Sequence, residues 1–418
     1  MSVPLEAPAA VAELTRRLEG AGFETWAVGG AVRDALRGEG KADWDLATRA
    51  RPEEVRRLFR RTVPVGIEHG TVGVFGGDGV LYEVTTFRRD VVPMGRKAIV
   101  SFSETLEEDL ARRDFTINAI AWHPLRREIR DPFGGREDLK RRLLKAVGVP
   151  SERFREDYLR VLRGLRFAGA LDLEVEPATW EGLESAVDGI EGLSPERVRD
   201  ELSKVVVGPR PSAALRLYRR AGVLPRIDPA LEPEDPEESF ALVDAVPSHR
   251  PLVRVSGFFL MALNSAGRKD PTPVLTRLRF SNAEVRRISI LIAAGVPPPS
   301  LADLGLVERR RWMAAVGRPF LRDVLRLWVA DCRIRKSTDV PDPRRALGAV
   351  RGDLSGGIPL SPRELPVRGA DLMAMGVPGG PAMGELLDAL LEEAWARPRP
   401  PDRTTMLRWI RNGSVVPD

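Results

Sequence analysis

The stretch from Trp26 to Thr48, WAVGGAVRDALRGEGKADWDLAT, constrains this chain more than any other part of it. An apolar run over about 23–29 ends on Gly29-Gly30, a helical pattern follows to about 38, and Asp43 to Thr48 reads as a second strand. On a strand Asp43 and Asp45 project from one face, a few ångströms apart, and repel each other. Something positive should sit between them. That separation is what two carboxylates need to share divalent cations bridging a nucleoside triphosphate and an attacking hydroxyl. The glycine pair, at a strand end and opening a helix, lets phosphate oxygens approach backbone N–H groups at the helix start. Arg33 then faces the same anion one turn later, and Asp34 is placed to hold Arg33 or a metal-bound water. Glu83, in the strand LYEVTTF, is the candidate third carboxylate. Singly these signals are weak, because a Gly-Gly before a helix is ordinarily a turn and Asp-x-Asp is common on surfaces. Their order in one segment is the stronger signal.

Around this segment the first 145 residues mix strands and helices. Residues 8–21 have helical spacing (Val11, Leu14, Leu18), and Thr71 to Phe75 with Val80 to Phe87 reads as a hairpin turning on GGDG. After Lys145 the pattern is helical: 152–169, 194–207, 211–222, 236–245, 251–265, 281–294, 306–315 and 318–333, punctuated by Pro and Gly. Residues 336–366, rich in Pro, Gly and Arg, read as a linker or irregular crossover, with further helices near 381–395 and 403–411. No repeat of fixed period is present.

Composition narrows the chemistry. A chain of 418 residues suggests several domains, and 43% hydrophobic content is enough for several cores. Lys and Arg total 65 against 60 acidic residues, with arginine far ahead of lysine. That balance fits a nucleic-acid or phosphate partner, and equally a genome that writes arginine wherever lysine would serve. The single cysteine, Cys332, excludes a disulfide scaffold and a cysteine-based zinc site. The histidines His69, His123 and His249 are scattered, so a catalytic metal would be held mainly by oxygen, which favours Mg2+ or Mn2+. The N-terminal segment has no signal-peptide design and no run of 18 apolar residues occurs, so the expectation is a cytoplasmic protein with no membrane span.

Two further segments carry charge in patterns that chemistry could use. In RRDFTIN, Asp114 and Asn118 share a face if the segment is helical, and Arg112, Arg113 and Asp114 could receive ribose hydroxyls and part of a triphosphate. The plain alternative is a salt bridge at a helix start. In a helix over 153–169, Tyr158, Val161, Leu162, Leu165 and Ala168 form a buried stripe, with Glu156, Asp157, Arg160 and Arg163 off it and Gly164 thinning the surface beside them. Asp157 and Arg160, one turn apart, can meet one base edge: the carboxylate accepts from an exocyclic amine, and the guanidinium donates to an unprotonated ring nitrogen or to O2 of cytosine. That suits C and A and opposes G and U, which would leave buried groups unpaired. Here the alternative is a solvated face of ordinary ion pairs.

GGAVRD followed by DWDLAT resembles the head of the class II tRNA nucleotidyltransferases (CCA-adding enzymes) and bacterial poly(A) polymerases, within the DNA polymerase beta superfamily. More blocks are similar in the family's order. LEEDLARRDFTINAIA (106–121) resembles its ribose-binding block, DPFGGREDL (131–139) its head-to-neck connector, and RFREDYLRVLRGLRF (153–167) its base-reading helix. ERVRDELSKVVVGPRPSAAL (196–215) resembles the helical support of that reader, while RLRFSNAEVRRI (277–288) and RGADLMAMGVPGGPAMGELLDALL (368–391) are similar to its body and tail.

The resemblance implies an α+β nucleotidyltransferase head, a small mixed sheet flanked by helices, followed by an elongated all-α neck, body and tail. The expected divisions are a catalytic head 1–145, a neck 146–222 with the base-recognition helix, a body 223–335 and an RNA-contacting tail 336–418. It implies metal-dependent addition of C and A to the tRNA 3′ end from CTP and ATP, releasing pyrophosphate. Asp43 and Asp45 would hold the metal, with Glu83 catalytic beside them. Gly29, Gly30, Arg33, Arg112, Arg113, Asp114 and Asn118 would bind the nucleotide, and Glu156, Asp157, Arg160 and Arg163 would read the base. Arg277, Arg279, Arg286 and Arg287 are available to RNA phosphates. Segment 87–105 lies where the family has a loop that helps switch from C to A, but carries Met94-Gly95-Arg96-Lys97 in place of the usual acidic-tyrosine and Arg-Arg-Pro style. Addition of CC alone, of A alone, or of CCA all stay open, as do a poly(A) polymerase and a catalytically inactive RNA-binding protein. The sequence carries no signature of an oligomeric state.

Overall fold

The computed structural model describes residues 5–39, 43–90, 100–233, 235–265, 270–294, 301, 303–335 and 343–413. The Met94–Lys97 segment and the linker positions 336–342 lie outside the described residues. Contacts divide the chain into two units, Met1–Glu201 with Leu217–Arg226, and Leu202–Arg216 with Ile227–Asp418.

The first unit is built on strands β1 Thr25–Val28, β2 Asp45–Thr48, β3 Thr62–Pro64, β4 Thr71–Phe75, β5 Leu81–Thr86, β6 Arg88–Asp90, β7 Val100–Phe102, β8 Ala121–Trp122 and β9 Ile129–Arg130. Seven of them form one sheet in the order β3-β4-β5-β2-β1-β8-β9, and β6 pairs with β7 apart from it. The sheet is mixed, since β2 runs parallel to β5 and antiparallel to β1. The GGDG hairpin turn is present, closed by the Gly76 amide donating to the Val80 carbonyl at 2.8 Å.

Helices α1 Ala9–Gly20, α2 Gly30–Leu36 and α3 Pro52–Leu58 cover one face of the sheet, where Leu14, Leu18, Val32 and Val55 pack with Leu46, Val72 and Val84. On the other face α4 Leu106–Ala111 packs Leu106 and Leu110 against Trp26, Val28, Ala47 and Phe87. Strand β2 is thus buried on both sides, Leu46 facing one core and Ala47 the other, which fixes its register.

Four expectations change in this unit. The strand begins at Asp45, leaving Asp43 just before it. The segment after Asp114 is a 3-10 turn, Thr116–Asn118, rather than an α-helix. The helix expected over 153–169 is two, with α5 Gly135–Lys140 preceding them: α6 Pro150–Glu156 and α7 Leu159–Leu171. They are separated at Asp157, whose backbone is extended (φ −154, ψ 104). Gly164 does not thin a surface; it is buried, and a Cβ there would meet the Phe115 ring at 2.8 Å. The missing side chain lets α7 lie directly on the ring. A short parallel pair, Leu143–Leu144 with Glu174–Val175, and the helix Pro177–Ala186 complete features that the sequence pattern did not show.

The second unit is helical, including Pro236–Ala245, Pro251–Ser265, Asn282–Ala294, Leu306–Val316, Arg318–Arg335, Pro381–Trp395 and Arg403–Arg411. The stretch read as irregular contains a helix, Pro343–Ser355, whose Ala346 and Val350 join the core around Trp328 and Leu390. Its proline lies at the helix start, where a missing N–H costs nothing. No helix among the described residues is long and apolar enough to cross a membrane.

One buried charge cluster organises this unit. Asp353 accepts from Arg309 Nε at 2.9 Å and from Arg310 Nη2 at 2.6 Å, and Arg310 also donates to the Trp395 and Arg397 carbonyls at 2.8 and 2.5 Å. Removing the carboxylate strands a guanidinium that is 1% exposed. Asp353→Ala is therefore expected to lower stability by about 3–5 kcal/mol in urea unfolding, and a loss below about 1 kcal/mol would contradict this account.

Candidate nucleotidyl-transfer site

A cavity of about 410 Å³ opens on the α4 side of the sheet, lined by Gly29, Gly30, Arg33, Asp45, Glu83, Arg88, Arg112, Arg113, Asp114, Asn118, Arg163 and Phe167, among others. One wall is the sheet. The parallel register Leu46↔Val84 places Asp45 beside Glu83 on neighbouring strands, on the face opposite the apolar pair. Asp43, exposed and just ahead of β2, does not line the cavity but adds to its negative charge. Burial pushes the Asp45 carboxyl up to about 6, helped by Glu83 and Asp43 and opposed by Arg113.

A carboxyl raised by burial and by neighbouring carboxylates is one whose ionised form a divalent cation would stabilise, so the donor set fits one. No group of three or more His, Cys, Asp or Glu side chains among the described residues forms a ready cage. A hard ion on one or two carboxylates would complete its shell with water and phosphate oxygens.

The facing wall is cationic: five arginines, Arg33, Arg88, Arg112, Arg113 and Arg163, line the cavity against three carboxylates. Gly29 adopts φ +74, a conformation glycine reaches without strain, and a Cβ there would lie 3.0 Å from Arg113 Nη1. The glycine pair therefore keeps both the backbone and this guanidinium open to an anion. Asp34 holds Arg33 in a fork, at 2.8 and 3.0 Å, as its position in the sequence suggested.

A hydrogen-bonded chain crosses the cavity floor. Arg33 Nη1 donates to Asn118 Oδ1 at 2.7 Å, Asn118 Nδ2 to Asp114 Oδ1 at 3.0 Å, and Arg163 Nε to Asp114 Oδ2 at 2.8 Å. Burial alone would raise the Asp114 carboxyl, but Arg163, Asn118 and the Phe115 amide hold it below its usual range. Asp114 and Asn118 thus meet through the 3-10 turn even though no α-helix joins them.

Of the four residues expected to read a base, only Arg163 lines the cavity. Asp157 accepts from Arg197 Nη2 at 2.7 Å, and Arg160 pairs with Glu156 while donating to the Arg112 carbonyl at 3.2 Å. The side-by-side placement expected of Asp157 and Arg160 on one continuous helix is not found, because Asp157 sits in the break between α6 and α7. Of the basic residues offered for RNA phosphate, Arg277 is paired with Asp228 and Arg287 with Asp323.

The sequence reading missed three residues of this site. Phe167 lines the cavity with Arg33, Arg163 and Arg166 stacked 5.1, 5.3 and 4.3 Å from its ring; it reads as an ordinary helix hydrophobe. Arg88 was hidden in a segment read as loop. Asp109, fully buried, accepts from Arg112 and Arg113; its spacing of three and four residues ahead of them was the available signal.

Comparison with known proteins agrees with this geometry. Residues 25–145 match the poly A polymerase head domain, and residues 172–234 the probable RNA and SrmB-binding site of polymerase A. The CCA-adding enzyme of Streptococcus suis (strain 05ZYH33) is 47% identical over 196 residues, 46% of this chain and 48% of that protein. That of Streptococcus pyogenes serotype M2 (strain MGAS10270) is 46% identical over 211 residues, 50% and 52% of the two chains. The match spans about half the length of these curated relatives. The crystal structure of the Bacillus stearothermophilus CCA-adding enzyme in complex with CTP is 30% identical with a TM-score of 0.76, covering 100% of this chain and 95% of that one. The Thermotoga maritima CCA-adding enzyme complexed with tRNA, 20% identical with a TM-score of 0.67, shares the fold. The chain belongs to the family of CCA-adding enzymes, nucleotidyltransferases that generally depend on a divalent metal and are built on the poly A polymerase head domain.

Proposed function

We propose that this protein is a template-independent tRNA nucleotidyltransferase that adds C and A to the tRNA 3′ end from CTP and ATP, releasing pyrophosphate. The observation that carries the reading is the cavity's division into a carboxylate wall, Asp45 with Glu83, and an arginine wall that surrounds the glycine pair. The matches to CCA-adding enzymes favour this over a poly(A) polymerase or an inactive RNA-binding protein.

Asp43 and Asp45 would hold Mg2+ or Mn2+, which supplies charge neutralisation at the phosphates and lowers the pKa of the RNA 3′-hydroxyl. Glu83 strengthens the negative field at Asp45. Arg33, Arg112 and Arg113, with the backbone at Gly29-Gly30, grip the triphosphate and stabilise charge on the leaving pyrophosphate. Asp114 and Asn118 orient the ribose. Base choice rests on Asp157 and Arg160, which must first exchange Arg197 and Glu156 for the base edge. The division into head 1–145, neck 146–222, body 223–335 and tail 336–418 belongs to the same proposal, with the helical unit contacting the RNA by shape and charge.

The direct experiment incubates the protein with Mg2+, single NTPs or their mixture, and tRNAs ending before the first C, after CC, or complete, and sequences the 3′ ends. One to three ordered additions are expected; long A tails or no incorporation with any primer would overturn the reading. Asp43→Ala and Asp45→Ala should each reduce addition by roughly a thousandfold or more, as losing transition-state charge stabilisation of about 4 kcal/mol implies. Asp157→Ala or Arg160→Ala should relax the preference for C and A over G and U by about 1–3 kcal/mol per lost base contact, measured as ratios of kcat/KM. Unchanged ratios would remove both from base reading.

The raised Asp45 also predicts a pH dependence. The folded state keeps that proton up to about 6, whereas the unfolded chain releases it near 3.8. In metal-free buffer, stability present below about 4 should therefore be lost as pH rises towards 6, and Asp45→Asn should flatten that slope. Equal slopes in the two proteins would contradict the assignment.

A further inference from the structure

The carboxylate of Asp109 is fully buried and does not line the cavity, yet it is bonded to three residues that do. Its Oδ1 accepts from Arg112 Nε at 3.0 Å and Nη2 at 2.7 Å, and from the Arg88 backbone N–H at 3.2 Å. Its Oδ2 accepts from Arg113 Nη2 at 3.0 Å. Burial alone would raise this carboxyl, but Arg113 and Arg112 hold it below its usual range, so it stays charged.

We propose that Asp109 is a positioning residue that aims the guanidiniums of Arg112 and Arg113 at the phosphates of the incoming nucleotide. The inference rests on the nucleotidyl-transfer reading of the cavity. Two features separate this from a plain structural ion pair. One anion is shared by two cations, so the cluster keeps a net positive charge, and it sits at the cavity wall. The bonds to Asp109 also occupy only one side of each fork. Arg112 Nη1 has no protein partner among the described residues, while Arg113 Nη1, whose bond to the Asn118 carbonyl is long at 3.3 Å, lies beside Gly29, where a side chain would block it. Asp109 thus holds both arginines at the cavity wall, with Arg112 Nη1 left unpaired and Arg113 Nη1 only weakly engaged.

The same short segment ties the grip to the helices that follow. The carbonyls of Ala111 and Arg112 accept from Arg153 Nη2 at 2.9 Å and Arg160 Nη2 at 3.2 Å. Asp109 acts on phosphates rather than on the base, so its loss should be felt equally by every nucleotide.

The test compares wild type, Asp109→Asn and Asp109→Glu in the presence of Mg2+. It measures kcat and KM for CTP and ATP on tRNA, the inhibition constant of pyrophosphate, direct binding of CTP without RNA, and thermal melting. For Asp109→Asn, KM for CTP and ATP and the pyrophosphate constant should rise together by about tenfold, with kcat changed much less. Asp109→Glu, which keeps the charge, should lose less, and it is the variant to read if Asp109→Asn does not fold. In an Arg112→Ala, Arg113→Ala background, Asp109→Asn should add little, because the groups it positions are gone. A folded variant with wild-type KM and pyrophosphate constants, or one that affects CTP and ATP unequally, overturns the proposal. Wild-type protein that binds no CTP would instead overturn the reading of the cavity.

Discussion

Two carboxylates held side by side by a parallel strand pair set the terms for everything around them. Strand β2 is clamped between two cores through Leu46 and Ala47, so Asp45 has no freedom to turn away from Glu83. Burial, with repulsion from Glu83, raises the Asp45 carboxyl to about 6. A site that stores this much like charge is poised for a cation, and the arginine wall across the cavity is poised for the anion that would accompany it. On the proposed function, the sheet register is what places the metal-holding carboxylates opposite the arginines that would take the triphosphate.

The arginines are not loose. Asp34 forks Arg33, Asp109 anchors Arg112 and Arg113, and Asp114 holds Arg163. Four of the five arginines that line the cavity have a carboxylate behind them. Such pairs contribute little net stability once desolvation is counted, but they fix direction, which is what recognition of a triphosphate needs. In the second unit the same device, Asp353 with Arg309 and Arg310, is wholly buried and serves packing.

The strand–glycine–helix–strand segment was legible because its periodicities are short-range: alternation gave β2 and the hairpin, and Gly29-Gly30 marked the turn. Asp43, Asp45, Arg33 and the arginines of RRDFTIN could be named because charge at fixed spacing survives without knowledge of the fold. The break at Asp157 was not legible, since no proline or glycine marks it and apolar spacing continues across it. The helix Pro343–Ser355 was hidden by its Pro, Gly and Arg content, although its apolar residues are buried against Trp328. Phe167 and Gly164 owe their roles to what packs on them across the chain, Arg33 and Phe115, and local sequence carries no trace of such partners.

The central claim is that Asp45 and the arginine wall together hold one metal–triphosphate unit. Titrating Mn2+ into the protein with and without CTP, and following bound metal by electron paramagnetic resonance, tests it directly. The account predicts weak binding to the protein alone, much tighter binding when CTP is present, and loss of that enhancement in Asp45→Asn. Mn2+ binding that ignores CTP, or an Asp45→Asn protein that keeps the full enhancement, would contradict it.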